Sequence, residues 1–376
     1  MNAFEFATAT RIVFGAGKAK ELGSLASEFG ARVLFVQPEP PLACAKSAAA
    51  ALRDGVAFGV AGEPTVGLVR DGVELARREG CDVVVGFGGG SVIDTAKAIA
   101  SLLANGGDPL DYVEVVGKGK TISKPSAPFI AVPTTAGTGA EVTRNAVLGA
   151  PEHKVKVSMR SAHMLARVAL VDPLLTLELP PPVTASTGLD ALTQVIEPFV
   201  SCQANPMTDA ICREGMRRAA RSLRRAYDHG DDAAAREDMS VASLFGGLAL
   251  ANAGLGAVHG FAAPIGGMFP KAPHGAVCAA LLPHVMEANV RLAPNRERFD
   301  EVAQLLTGSE RAAAGDGVAW VRELCAALKV AKLSAYGLCS GNVPELVERA
   351  AQASSMKGNP VPLAPEVLRE ILTQAL

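Results

Sequence analysis

Two histidines and one aspartate in the second half of the chain are the residues best suited to hold a metal ion. His259 and His274 lie fifteen residues apart in an apolar, glycine-rich stretch, and the chain has only six histidines. Asp190 precedes them, in the run 188–198. A carboxylate and two imidazoles can bind a divalent metal and leave a position open for a substrate oxygen. Either histidine alone is more typical of a buried, hydrogen-bonded core residue, so the prediction depends on the three together.

Gln194 follows Asp190 by four residues in a sequence that predicts a helix. Residues at i and i+4 lie on the same helix face. We therefore expect the Gln194 amide to lie beside the Asp190 carboxylate.

A glycine cluster in the first half points to a phosphate group. The apolar run 82–86 leads into Gly88-Gly89-Gly90-Ser91, and a helical pattern follows at once. Glycine backbone N–H groups can approach a phosphate closely, and the N-terminus of the helix attracts its negative charge. A tight strand-to-helix turn is the structural alternative, but the strand before and the helix after favour dinucleotide binding.

A second loop, Pro133-Thr134-Thr135-Ala136-Gly137-Thr138, also follows an apolar run directly. Small hydroxyl residues at the carboxyl end of a parallel strand lie where open α/β sheets hold ligands. Hydroxyls there could bond a cofactor amide, ribose or phosphate, although a loop of this kind could equally cap a helix.

The order of elements predicts an α/β half followed by an all-helical half. Short apolar runs alternate with helical windows in the first half, which is typical of a parallel sheet with helices on its faces. After Pro180-Pro181-Pro182 the chain holds long helical windows and almost no strand patterns. We expect a dinucleotide-binding α/β domain at 1–180 and an all-helical, metal- and substrate-binding domain at 181–376. The predicted strands are 32–36, 82–86 and 128–132, and the clearest helical windows are 66–78, 207–227, 236–252 and 296–306.

Composition excludes several classes of protein. The 376 residues carry a formal net charge of −2, which argues against a general nucleic-acid binder. The arginine-rich stretch 213–225 precedes acidic residues and indicates a solvated face with local ion pairs. We expect no secretory signal and no membrane span. Seven scattered cysteines without a C-x-x-C pair indicate reduced thiols and a cytoplasmic protein.

Taken in this order, these motifs resemble those of the iron-containing (group III) alcohol dehydrogenases, and the resemblance covers essentially the whole chain. It implies an N-terminal dinucleotide-binding domain, a helical metal-binding domain and a cleft between them. The implied activity is hydride transfer between NAD or NADP and an alcohol/aldehyde or ketone pair, with Fe²⁺ or Zn²⁺ bound. It also implies a homo-oligomer, dimeric or larger. The implied cofactor contacts are Gly89, Gly90, Ser91, Asp94, Thr134, Thr135, Thr138, Asn145 and Lys156, and the implied catalytic and metal residues are Asp190, His259 and His274, with position 194 as fourth ligand.

The chain departs from the family pattern at four places. Position 194 is Gln instead of His, and an amide oxygen is a poorer, harder donor for iron or zinc. Ala263 replaces a histidine proposed to move protons, so a proton relay needs water, the ribose hydroxyls or another side chain. The 259–274 loop is one residue longer, near Lys271. Pro38 occupies the position of an acidic residue that bonds the adenosine ribose, with Glu39 beside it, which leaves NAD and NADP both open.

Three alternatives stay open, and the first of them follows from the change at position 194. The change at 194 is compatible with a metal-independent carbonyl reductase resembling the maleylacetate reductases. A lyase-type or cyclising enzyme like dehydroquinate synthase shares the broad fold, and a dinucleotide-binding regulatory protein would bind cofactor without turnover. Retention of Asp190, His259 and His274, together with the Thr-rich loop, favours the metal-dependent dehydrogenase.

Overall fold

The computed structural model describes residues 3–52, 54–153 and 155–376. Its strands are β1 Arg11–Phe14, β2 Val33–Pro38, β3 Val56–Val60, β4 Val83–Gly88, β5 Phe129–Pro133, β6 Asn145–Ala150, β7 Val155–Arg160 and β8 Val168–Val171. Its helices are α1 Leu22–Ser27, α2 Ala43–Ala50, α3 Val66–Arg78, α4 Gly90–Asn105, α5 Pro109–Tyr112, α6 Pro181–Val200, α7 Pro206–Asp228, α8 Ala233–Ala253, α9 Ala257–Met268, α10 His274–Leu292, α11 Glu297–Thr307, α12 Ala314–Ala327, α13 Val343–Gln352 and α14 Pro365–Ala375.

The first half contains a six-stranded parallel sheet with the strand order β1-β8-β5-β4-β2-β3. The chain runs from β2 outward to β3, then crosses to the other side of β2 to form β4. The switch point of the sheet therefore lies between the carboxyl ends of β2 and β4, where open α/β sheets bind ligands. β6 and β7 form a separate antiparallel hairpin.

The predicted fold class is confirmed. β2, β4 and β5 lie where apolar runs predicted strands, and α3 spans the predicted window 66–78. Beyond residue 180 the described chain is helical, and α7, α8 and α11 cover the other three predicted windows. The sequence reading missed β1, β3, β6, β7 and β8.

The described chain falls into two compact units. One comprises residues 7–135 and 139–177, and the other comprises 3–6, 136–138 and 178–376. The short segment 136–138 interrupts the first unit, and Gly137 in it approaches α6 so closely that a Cβ would lie 2.7 Å from Cβ of Thr187. Each unit has its own hydrophobic core.

The arginines of α7 form ion pairs, as the sequence predicted. Arg218 and Arg221 both contact Asp238, at 2.9 and 2.6 Å. Arg213 pairs with Glu301 on α11. Among the described residues, no single helix has the length and hydropathy to span a membrane, and α8 with α9 meets that test only as a pair bent by 98°.

Candidate active site

The glycine cluster forms the turn between β4 and α4. Gly88 ends β4, and a Cβ there would lie 2.6 Å from Cγ2 of Val92, so only glycine lets the helix begin this close to the strand. Gly89 is the N-cap of α4 and supplies no side-chain acceptor for the first turn. The N–H groups of Gly90 and Ser91, at the first two positions of the helix, have no intrahelical acceptor. They are available to an anion.

The threonine loop lies beside this turn. β5 pairs with β4, and the backbone N–H of Thr134 donates to the Gly88 carbonyl at 3.0 Å. A Cβ on Gly89 would lie 3.4 Å from Cγ2 of Thr135. Two motifs about 45 residues apart in sequence thus meet at one edge of the sheet, because the carboxyl ends of parallel neighbours share an edge. Thr138 belongs to the segment 136–138 of the other unit.

Lys97 fixes the backbone that follows the threonine loop. Its Nζ donates to the carbonyls of Ala140 and Asn145, at 2.8 and 2.7 Å, and to the Thr143 hydroxyl at 2.9 Å. The side chain is 1% exposed. Burial lowers the pKa of Lys97, although the Asp94 carboxylate opposes the shift. The sequence analysis gave Lys97 no role.

Asp94 lies one helical turn before Lys97 on α4. Its Oδ2 accepts from the backbone N–H of Val147 at 2.9 Å, which ties α4 to β6. Its Oδ1 is buried without a hydrogen-bond partner among the described residues and lies 3.6 Å from Nζ of Lys97. Burial raises the pKa of this carboxyl, and Lys97 partly offsets the shift.

Asn145 and Lys156 lie on the same face of the β6–β7 hairpin. Asn145 opposes Arg160 and Lys156 opposes Gly149, so the two are separated by four residues along the ladder. The Lys156 amine forms an ion pair with Glu63 at 3.1 Å. Both side chains are partly exposed.

In the helical unit, three helices bring together the residues predicted to hold metal. Asp190 lies on α6, His259 on α9 and His274 at the first position of α10. Oδ1 of Asp190 lies 3.3 Å from Nε2 of His259 and 3.8 Å from Nε2 of His274. Gly275 allows the start of α10 to lie this close to α6, because a Cβ at this position would be 2.3 Å from the Ser186 carbonyl oxygen.

The carboxylate of Asp190 has the properties of a metal ligand. It is 1% exposed, and its Oδ1 has no hydrogen-bond partner in the described part of the chain. Burial alone would raise the pKa of Asp190, but His274 and His259, with a hydrogen bond from Gln194, hold it below its ordinary value. A buried polar atom without a partner is costly. The donor set therefore fits a divalent cation.

Gln194 lies where its helical spacing predicts, one turn after Asp190. It is 2% exposed, and its Oε1 also has no hydrogen-bond partner among the residues described. Gly246 of α8 faces it, and a Cβ at that glycine would lie 3.0 Å from Cβ of Gln194.

Sequence reasoning missed two residues of this site. Glu197, a further turn along α6, has Oε2 2.6 Å from Nδ1 of His259 and Oε1 accepting from the Val258 N–H at 2.7 Å. Cys278 has its Sγ 3.8 Å from Nε2 of His259 and 3.7 Å from Nε2 of His274. Both were detectable as helical neighbours: Glu197 lies seven residues after Asp190, and Cys278 lies four after His274.

Family models match both halves of the chain. Residues 9–173 match the family model described as iron-containing alcohol dehydrogenase, and residues 184–376 match that described as Fe-containing alcohol dehydrogenase family, C-terminal. The chain is 38% identical over 334 residues to 1,3-propanediol dehydrogenase of Citrobacter freundii, covering 86% of this chain and 83% of that protein.

Two solved structures are similar over almost the full length of the chain. The crystal structure of a 1,3-propanediol oxidoreductase superposes with a TM-score of 0.92 at 34% identity and covers 100% of both chains. Sulfoacetaldehyde reductase from Bifidobacterium kashiwanohense in complex with NAD⁺ superposes with a TM-score of 0.89 at 28% identity, covering 99% of this chain and 98% of the other.

Proposed function

The chain belongs to the iron-containing alcohol dehydrogenase family, and we propose that Asp190, His259 and His274 hold its catalytic metal. The protein is an oxidoreductase that acts with NAD(P) and a divalent metal on an alcohol or its carbonyl partner. The observation that carries the assignment is Oδ1 of Asp190, buried without a hydrogen-bond partner in the described chain, with both imidazole Nε2 atoms within 3.8 Å. A divalent cation bound there supplies Lewis-acid polarisation of a substrate oxygen.

The residues around the proposed metal ligands fix their orientation and bury most of them from water. Glu197 holds the Nδ1 side of His259, which leaves Nε2 facing Asp190. Asp190, Gln194 and His259 are buried, whereas the side chain of His274 is 35% exposed. A small alcohol or aldehyde would approach on the His274 side. Gln194, one turn after Asp190 on α6, is proposed as a weak oxygen ligand of the metal.

We assign dinucleotide binding to the α/β unit, and metal and substrate binding to the helical unit. The N–H groups of Gly89, Gly90 and Ser91 would take the pyrophosphate at the start of α4. Thr134 and Thr135 border the same turn. Asp94, Thr138, Asn145 and Lys156 are proposed as further cofactor contacts. The cofactor carries the hydride, and these residues position it.

The metal-independent carbonyl reductase is not favoured. Such an enzyme has no evident need for a carboxylate and two imidazoles converging within 3.8 Å. Nor would it need Glu197 to fix the orientation of one ring.

The protein is further proposed to be a cytoplasmic homo-oligomer, at least a dimer. Seven cysteines without a disulfide among the described residues support a reducing compartment. Size-exclusion chromatography with light scattering tests the oligomeric state, and a monomer at assay concentration would contradict it.

Elemental analysis of the purified protein, with NAD(P)-dependent turnover of a panel of small alcohols before and after chelation, tests the metal assignment. About one iron or zinc per chain is expected, with activity lost on chelation and restored by metal. Asp190→Ala and His259→Ala should abolish turnover while dinucleotide binding, followed by cofactor fluorescence, stays nearly intact. His153→Ala, at an exposed histidine, is the matched control. Equal loss of cofactor binding and turnover, or full activity without metal, would contradict the assignment.

A further inference from the structure

Cys278 occupies a position in α10 equivalent to that of Gln194 in α6. It follows His274 by one helical turn, as Gln194 follows Asp190, so each helix presents a pair of potential ligands on one face. Cys278 is 0% exposed. One ligand atom from each of Asp190, His259, His274 and Cys278 lies within 4.8 Å of all the others.

Four of the separations among these atoms are close to those of one coordination shell. In a tetrahedral zinc site with bonds of about 2.0–2.1 Å to nitrogen or oxygen and about 2.3 Å to sulfur, neighbouring ligand atoms lie about 3.3–3.6 Å apart. The observed separations are 3.3 and 3.8 Å from Asp190 to the two imidazoles, and 3.8 and 3.7 Å from Cys278 to the same nitrogens. Small adjustments would bring all four onto one ion.

The second observation concerns the hydrogen bonding of the side-chain oxygens that α6 contributes to the site. Oδ1 of Asp190, buried and unpartnered within the described chain, faces the same imidazole nitrogens that Cys278 contacts. Oε1 of Gln194 is also buried without a hydrogen-bond partner among the described residues. An amide oxygen is a harder and poorer donor for zinc than a thiolate, so Cys278 is the stronger candidate for the fourth position.

We propose that Cys278 is the fourth protein ligand of the metal, which gives an Asp-His-His-Cys donor set. This inference rests on the metal site proposed above. Coordination requires the thiolate, so the Sγ–H bond breaks, the proton leaves to solvent and a sulfur–metal bond forms. A soft thiolate compensates for the absent imidazole at position 194 and favours zinc over iron.

Cobalt substitution detects a sulfur ligand by absorption spectroscopy, so the test does not depend on turnover. The chelated protein is titrated with Co²⁺, and its absorption spectrum is recorded for the wild type, Cys278→Ser, Gln194→Ala and Cys325→Ser. Cys325 is the matched control, a buried cysteine on α12 whose Sγ lies 3.6 Å from the Ala279 carbonyl. The wild type, Gln194→Ala and Cys325→Ser should show a near-ultraviolet sulfur-to-cobalt charge-transfer band. Cys278→Ser should lose that band while still binding Co²⁺. Its affinity for zinc should fall by more than the about 10–100-fold that is typical when a hydrogen-bond partner of a ligand is lost.

X-ray absorption of the wild-type zinc protein gives a result that does not depend on any variant folding. One sulfur at about 2.3 Å from zinc is expected. A cobalt protein with visible d–d bands but no charge-transfer band, or a zinc shell of nitrogen and oxygen alone, would overturn the role of Cys278 and leave the three-ligand metal site standing. Failure of the wild type to bind either metal, with undiminished activity, would overturn both.

Discussion

Nδ1 of His259 lies 2.6 Å from Oε2 of Glu197, and the other oxygen of the same carboxylate accepts from the N–H of Val258. One side chain of α6 therefore fixes both the imidazole ring and the first turn of the helix that carries it. The N-cap of α9 is Gly256, which supplies no side-chain acceptor, so this turn depends on partners from elsewhere in the chain. Asn359 provides another, accepting from the Ala257 N–H at 3.2 Å.

Glu197→Gln should weaken metal binding while the fold is retained. The amide oxygen can still accept from the His259 ring, but its NH2 group then faces the Val258 N–H, and the side chain lacks the negative charge that makes the imidazole a better donor. Loss of such an outer partner typically costs about 10–100-fold in metal affinity, to be measured by competition with a chromophoric chelator. Glu345→Gln, at a surface carboxylate that pairs with Arg349, should leave the affinity unchanged. Equal affinities in wild type and Glu197→Gln would show that this contact does not tune the metal.

Gly275→Ala should disturb the metal site through the backbone. The new Cβ would lie 2.3 Å from the Ser186 carbonyl oxygen, so the first turn of α10 must shift and carry His274 with it. Overpacking of this kind typically costs about 1–3 kcal/mol of stability. The melting temperature and the zinc content, measured on the same sample, should both fall.

Gly315→Ala on α12 is the control for that variant, since no atom lies within 4 Å of its added Cβ. An exposed helical glycine replaced by alanine should be neutral or stabilising by up to about 1 kcal/mol. If both variants behave alike, close packing at Gly275 is not what positions His274.

Lys97→Met should loosen the segment that follows the threonine loop. The substitution removes the hydrogen bonds that Lys97 donates to the Ala140 and Asn145 carbonyls and leaves Asp94 without its neighbouring cation. Removing one partner of a buried charge pair typically costs about 3–5 kcal/mol. Hydrogen exchange across residues 134–147 should accelerate, and dinucleotide affinity should drop while zinc content stays the same. Lys18→Met, at a half-exposed lysine paired with Glu21, should alter neither. Unchanged exchange in Lys97→Met would refute an anchoring role.

Glu141 should make stability depend on pH around neutrality. Burial raises the pKa of this carboxyl to about 7, despite the Lys97 charge nearby. Because the native state holds the proton more tightly than the unfolded chain, this contribution is complete below about pH 4.3 and is lost as pH rises through about 7. Glu141→Gln keeps the neutral form and should lose less stability than the wild type between pH 5 and pH 8, by on the order of 2–3 kcal/mol. Melting temperatures across that range check this, and parallel pH profiles for the two proteins would contradict it.

The sequence predicted the elements that have strong local patterns. Apolar runs buried on both faces indicated β2, β4 and β5, and three-to-four periodicity indicated the long helices. The missed strands carry weaker patterns: β8 is a buried apolar run of only four residues, β3 is apolar but mostly partly exposed, and β6 alternates buried and partly exposed positions in a hairpin outside the main sheet. β1 also pairs with β8, a segment distant in sequence, and a local pattern does not record such a partner.

The candidate site also contains residues that the sequence identified and residues that it did not. Asp190, His259 and His274 stand out by residue type, whereas Cys278 resembled one of several scattered thiols until the fold placed α9 beside α10. Glu197 looked like an ordinary helical acid, because its importance comes from the ring and backbone that it contacts. Spacing from a proposed ligand carries information that composition does not.

The three hydrogen bonds of Lys97 also determine its reactivity. Each proton of its ammonium group already has an acceptor, and the amine is screened from water in the folded protein. An acylating reagent that modifies the surface lysines within minutes would reach this amine only after α4 and the 140–145 segment separate. The extent of acylation at Lys97 would therefore measure how often this part of the α/β unit opens.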